Sequence, residues 1–112
     1  MKIEIVSKDN YNQFLGLMKK YQIFYQATPD EEKNRVFFEQ FLKDHSRGII
    51  FIIKEDENPV GFTTLYFSFS SVTACPLCVL NDLYVDPEYS SYKGIRSIGN
   101  KLMLHAFNYA KS

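Results

Sequence analysis

Val79-Leu80-Asn81-Asp82-Leu83-Tyr84-Val85 ends at Asp86-Pro87 and leads into the polar, glycine-bearing segment Tyr92-Lys93-Gly94-Ile95-Arg96-Ser97-Ile98-Gly99-Asn100-Lys101. The first run is apolar and aromatic enough to read as a strand over Val79–Val85, and Asp86-Pro87 stops it. Ser90–Asn100 reads as a loop. From there Ile98, Leu102, Ala106 and Tyr109, with Met103, Phe107 and Ala110, recur at the spacing of one helix face. A strand that hands a glycine-bearing loop to a helix start makes an anion site. Backbone N–H groups there have no partner within the helix, and the dipole adds roughly half a positive charge. Glycine lets a phosphate come close to the backbone. The pattern is neither the P-loop nor the dinucleotide fingerprint. On the loop alone, Gly94 and Gly99 serve equally well as turn and cap residues, with Lys93, Arg96 and Lys101 as a solvated face.

Upstream, the chain alternates elements without a repeat or linker. Lys2–Ser7 reads as a strand, and Ser7 or Asp9 can cap the helix that begins at Tyr11. Phe14, Leu15, Met18 and Tyr21 follow helical spacing, and Tyr21, Phe24 and Tyr25 gather rings at its end. Thr28-Pro29-Asp30-Glu31 reads as a second helix start, with Thr28 as cap and acids in the first turn. Val36, Phe37, Gln40 and Phe41 supply its stripe. Ile49-Ile50-Phe51-Ile52-Ile53 is a buried strand, Glu55-Asp56-Glu57-Asn58-Pro59 a turn, and Val60–Ser70 a longer strand. The order is β-α-α-β-β-β-loop-α, and the short turns make the three central strands an antiparallel meander.

Composition narrows the class. The chain has 112 residues, enough for one domain that buries roughly two-thirds of its unfolded surface. Thirteen basic residues balance thirteen acidic ones, which leaves no one-signed field for nucleic acid. No apolar stretch nears the ~20 residues of a membrane span, and Glu4 interrupts the N-terminal apolar run, so no membrane partner and a cytoplasmic location are expected. Cys75 and Cys78 then read as free thiols.

The segment from Leu80 to Tyr89, then Gly99-Asn100-Lys101-Leu102-Met103, resembles the acetyl-coenzyme A motif of the GNAT superfamily of N-acetyltransferases. Pro59-Val60-Gly61-Phe62 and the element order resemble it too. The resemblance implies an α/β (α+β) fold, with a mixed, mainly antiparallel sheet and helices on both faces. It implies acetyl-CoA as cosubstrate and a primary amine, on a small molecule or a protein, as acceptor. The backbone of Leu83, Tyr84 and Val85 would meet the pantetheine arm. The loop amides of Arg96, Ser97, Ile98, Gly99, Asn100 and Lys101 would hold the pyrophosphate. Gly99 matches the family's last loop glycine, whereas Ser97 stands where glycine is usual and Gly94 where Arg or Gln is usual. The family's domain continues past this last helix, so the C-terminal strands are read as missing. The Leu83–Val85 edge is thereby left open for a homo-oligomer. A degenerate or truncated relative, binding coenzyme weakly or serving as an interaction module, is the alternative.

In that family an amine attacks a thioester, which calls for a carboxylate near the sheet centre as base. Asp82 is the candidate. Strict alternation puts it on the face of Leu80 and Tyr84, opposite Leu83 and Val85; a paired surface carboxylate is the other reading. Tyr21, Phe24, Tyr25, Tyr66 and Phe67 are candidates for the acceptor pocket, with core packing as the alternative for the helical rings. Cys75-Pro76-Leu77-Cys78 has no second pair to make a zinc site, and His45 and His105 lack ligand spacing, so no metal is expected.

Overall fold

The computed structural model of the chain describes residues 1–89 and 92–111, residues 92 and 93 by their backbone alone. The elements in order are β1 (Lys2–Ile5), α1 (Tyr11–Phe24), α2 (Glu31–Phe38), α3 (Gln40–Lys43), β2 (Gly48–Glu55), β3 (Asn58–Ser70), β4 (Cys75–Val85), a 3₁₀ turn at Pro87–Tyr89 and α4 (Tyr92–Lys111). The four strands form one sheet in the order β1-β2-β3-β4, every pairing antiparallel. This is the expected meander, extended by β1 beside β2.

The apolar β2 run explains the layering. Ile49, Phe51 and Ile53 point to one face and Ile50 and Ile52 to the other, all buried. Helices are therefore needed on both sides. On one face Phe14, Leu17 and Met18 of α1 pack with Phe38, Phe41, Ile50, Ile52, Phe62 and Tyr84. On the other, Ile98, Leu102 and Ala106 of α4 pack on Ile49, Phe51, Ile53, Val60 and Leu65. Each fully buried side chain of this kind contributes about 1.5–3 kcal/mol.

Several local expectations change. Asp30, not Thr28, caps α2, its carboxylate accepting from the Lys33 amide at 3.0 Å. α1 follows Asn10 rather than a Ser7 or Asp9 cap. Asn10 spends its carboxamide on β1, accepting from Ser7 N and donating to Glu4 and to Ile5 O. The second helix breaks at Glu39, so Asn34, Phe38 and Phe41 are buried while Val36 and Phe37 face solvent. β4 begins at Cys75 rather than Val79, which places both exposed cysteines in the strand.

The largest change concerns Ser90–Asn100. Ser90 and Ser91 lie outside the described residues, but from Tyr92 onward the segment is helix, not loop. Ile98 and Leu102, both almost fully buried, lock this part of α4 onto the sheet and outweigh the ~1 kcal/mol that each of Gly94 and Gly99 costs a helix. Met103 and Phe107, read as part of the apolar face, are largely exposed instead.

Candidate active site

β3 and β4 pair as Gly61↔Val85, Phe62↔Tyr84, Thr63↔Leu83 and Thr64↔Asp82, and then jump to Leu65↔Leu80. One residue, Asn81, is therefore extra on β4, a β-bulge. It corrects the facing read from alternation. Asp82 shares the α1 face with Tyr84, as expected, but Leu80 turns to the α4 face with Leu65, because the bulge consumes one step of the alternation. Two polar residues in a row inside an apolar strand were the visible sign of it.

The bulge aims Asp82 at α1. Tyr21 Oη donates to Asp82 Oδ1 at 2.7 Å, Thr64 Oγ1 donates to Oδ2, and Asn81 Nδ2 donates to Oδ2 at 3.0 Å. Thr63 Oγ1 donates to the Asp82 carbonyl at 2.7 Å, fixing the backbone beneath. The half-buried Tyr21 ring stands edge-on to Phe62, Tyr84 and Tyr25 with centroids 5.4, 5.5 and 5.0 Å away. Burial, then the hydrogen bond to Asp82 and its charge, hold the Tyr21 phenol far above its ordinary pKa, so it stays a donor. Burial also raises Tyr66, which feels the Asp82 charge as well. The expected acceptor residues are thus brought together, except Phe67, which packs against the core on the α4 face. Tyr21 and Tyr66 flank Asp82, Tyr25 stacks on Tyr21, and Phe24 stacks on Tyr25 at 5.4 Å. Thr64 and Asn81, which the sequence reading did not single out, complete the carboxylate's shell.

The connection from β4 to α4 is tied down separately. Asp86 is 1% exposed; its carboxylate accepts from Lys20 Nζ at 2.7 Å and from the Glu88 amide at 3.0 Å. Its own amide donates to Val60 O at 2.8 Å. In an antiparallel ladder such bonds fall on alternate residues, so Tyr84 turns its backbone groups to β3 and Leu83 and Val85 turn theirs to the open side.

Residues 14–112 match the acetyltransferase (GNAT) family. The chain belongs to the GNAT acetyltransferase family. It is 35% identical over 94 residues to an uncharacterized N-acetyltransferase, YhfO, of Bacillus subtilis (strain 168), covering 84% of this chain and 60% of that protein. This GNAT chain therefore spans 60% of the length of that curated relative. Its fold superposes on a crystal structure of a probable acetyltransferase with a TM-score of 0.82 and 29% identity, over 99% of this chain and 72% of the other. An aminoglycoside acetyltransferase, meta-AAC0020, from an uncultured soil metagenomic sample, solved with sisomicin, shares the fold with a TM-score of 0.69 at 22% identity, covering 96% of this chain and 68% of that one.

Within the GNAT chain, the residues assigned to coenzyme fall in two sets. Leu83 and Val85 offer outward backbone groups on the β4 edge, whereas Tyr84 offers none there and buries its ring under α1. Arg96, Ser97, Asn100 and Lys101 line, with Leu104, an open depression of about 460 Å³ on α4. Ile98 points into the core, and Gly99 rests against β4, where an added Cβ would lie 3.9 Å from Leu83 and Val85. Because α4 begins at Tyr92, the amides from Arg96 onward have acceptors one turn back in their own helix. The side chains of Arg96, Ser97, Asn100 and Lys101, rather than their amides, face the depression. Among the described residues no three His, Cys, Asp or Glu side chains gather as a metal site, and no helix is long and apolar enough to cross a membrane.

Proposed function

We propose that this GNAT chain binds acetyl-CoA along the open side of β4 and across α4, and transfers the acetyl group to a primary amine held on the α1 face. One observation carries the reading: a half-buried carboxylate, Asp82, is held by three donors on the strand whose next residue, Leu83, opens its backbone to the sheet edge. The outward N–H and C=O groups of Leu83 and Val85 suit an amide-bearing arm, and Arg96 and Lys101 supply two cations for phosphates.

When bound, acetyl-CoA supplies a thioester carbonyl that the amine nitrogen attacks, forming the C–N bond as the C–S bond breaks and leaving an acetamide and a free thiol. The chain's own part is proton handling and placement. An amine arrives as ammonium and must lose a proton before it can attack. Asp82 takes that proton directly or through one water. Tyr21 and Thr64 keep the carboxylate from rotating, and the Asn81 bulge holds it toward α1. The cytoplasm is the compartment in which this donor and free Cys75 and Cys78 thiols fit together.

The test is thiol release from acetyl-CoA in the presence of an amine. Asp82→Asn should lower kcat by on the order of 10²–10⁴-fold, with coenzyme affinity unchanged. Equal kcat in the two proteins would remove Asp82 from the proton step.

The half of β4 from Cys75 to Leu80 lies beyond the Leu83–Val85 segment and is exposed throughout. We propose that it pairs with the same strand of a second copy, so that coenzyme and partner share the edge without competing.

A further inference from the structure

Asp82 differs from every other buried or half-buried carboxylate described in the chain. Asp86 is paired with Lys20, and Glu4 with Lys54 and Lys2. Among the described residues, the three side-chain donors to the Asp82 carboxylate are all neutral: a phenol, a hydroxyl and a carboxamide. Among the described residues no Lys, Arg or His lies within ion-pair distance of it. A carboxylate accepts about four hydrogen bonds. Tyr21, Thr64 and Asn81 take three, which leaves room for one further donor and calls for a positive charge to come with it.

The surroundings specify what carries that charge. Tyr25 and Phe24 stand 66% and 67% exposed at the rim, edge to face on each other, and Tyr25 is edge to face on Tyr21. Their exposed ring surface gives an apolar, ring-bearing body a place to lie. The next acids along the chain, Asp86 and Glu88, are drawn to Lys20 at 2.7 and 3.9 Å. Asp82 is the one buried or half-buried carboxylate among the described residues without a cation, so a ligand with several ammonium groups finds an ion-pair partner there for one of them, while an apolar body gains the rings as well.

On this ground, and resting on the reading that the α1 face receives the amine, we infer that the acceptor is a monoamine: a single ammonium on an apolar, ring-bearing body. The ammonium meets Asp82 and the body lies on Tyr25 and Phe24. This separates the chain from its fold relative meta-AAC0020, solved with sisomicin.

The test compares 2-phenylethylamine, spermidine and sisomicin as probes. Binding to the full chain is measured by calorimetry without coenzyme, and kcat/KM with acetyl-CoA. The inference expects 2-phenylethylamine to bind at least tenfold more tightly than spermidine or sisomicin, and to lead in kcat/KM by a similar factor. Tyr25→Ala, a change at an exposed position, should erase most of that lead. Asp82→Asn should weaken binding of 2-phenylethylamine at least tenfold while near-ultraviolet circular dichroism stays native. Equal or tighter binding of either polycation, no binding of any of the three amines, or a lead untouched by Tyr25→Ala would overturn the inference. Failure of acetyl-CoA to bind would remove the acetyl-transfer reading, and the coenzyme-free comparison would still decide the acceptor class.

Discussion

At the scale of single residues, the two ends of the sheet use carboxylates in opposite ways. Glu4 is a structural anchor. Hydrogen bonds from Asn10 first, then from Lys54 and Lys2, lower its pKa from 4.5 to about 2. A folded-state value below the unfolded one adds stability that is complete above the ordinary carboxylate range and is lost as pH falls toward about 2. Glu4→Gln should therefore be less stable than the parent at pH 7, with the difference shrinking between pH 4.5 and about 2. Urea unfolding at a series of pH values measures it, and a difference that stayed constant over that window would contradict the assignment. Among the described residues Asp82 has no such ion pair, and that separates a group free to receive an ammonium from one spent on the fold. The sequence offered Asp82 and Tyr21 as separate candidates 61 positions apart. Their hydrogen bond was not legible, because it depends on the rotation of α1 over the sheet. Nor was Thr64, one of two adjacent threonines in β3 whose hydroxyls both turn to Asp82.

At the scale of elements, the apolar periodicities of α1, β2, β3 and the later part of α4 were enough to place these elements and their order. The early part of α4 was not legible as helix, since Gly94, Ser97 and Gly99 lower its local propensity and only the burial of Ile98 and Leu102 against the sheet reverses that. The bulge at Asn81 escaped a strict two-residue period for the same reason: pairing with β3, not the β4 sequence alone, fixes which residue is extra. Glycines show the distinction between element and packing most directly. A Cβ at Gly61 would lie 2.6 Å from the Tyr84 carbonyl, a backbone atom that cannot yield, whereas nothing lies within 4 Å of a Cβ at Gly16 on the exposed side of α1. Gly61→Ala is expected to destabilise by about 1–3 kcal/mol, since β3 and β4 must separate to admit it. Gly16→Ala is expected to stabilise by up to ~1 kcal/mol through helix propensity alone. Thermal melts of the two variants should move in opposite directions, and a common direction would count against the β3–β4 register.

At the scale of the whole molecule, the sheet is covered on both faces but open along β4, and the chain spans 60% of the curated relative it matches. The proposed pairing along Cys75–Leu80 predicts a concentration-dependent dimer in sedimentation velocity, and lysine placed at the exposed Leu77 should shift it to monomer; a monomer at every concentration would refute the pairing. The other half of that edge, together with α4, is the proposed seat of acetyl-CoA. Its most direct measurement is a calorimetric titration of the chain with acetyl-CoA, repeated on the double variant Arg96→Glu, Lys101→Glu, whose changes are both exposed. A saturable one-to-one binding heat, weakened at least tenfold in the variant, is the predicted result. No heat at millimolar acetyl-CoA, or equal affinity in the two proteins, would contradict it.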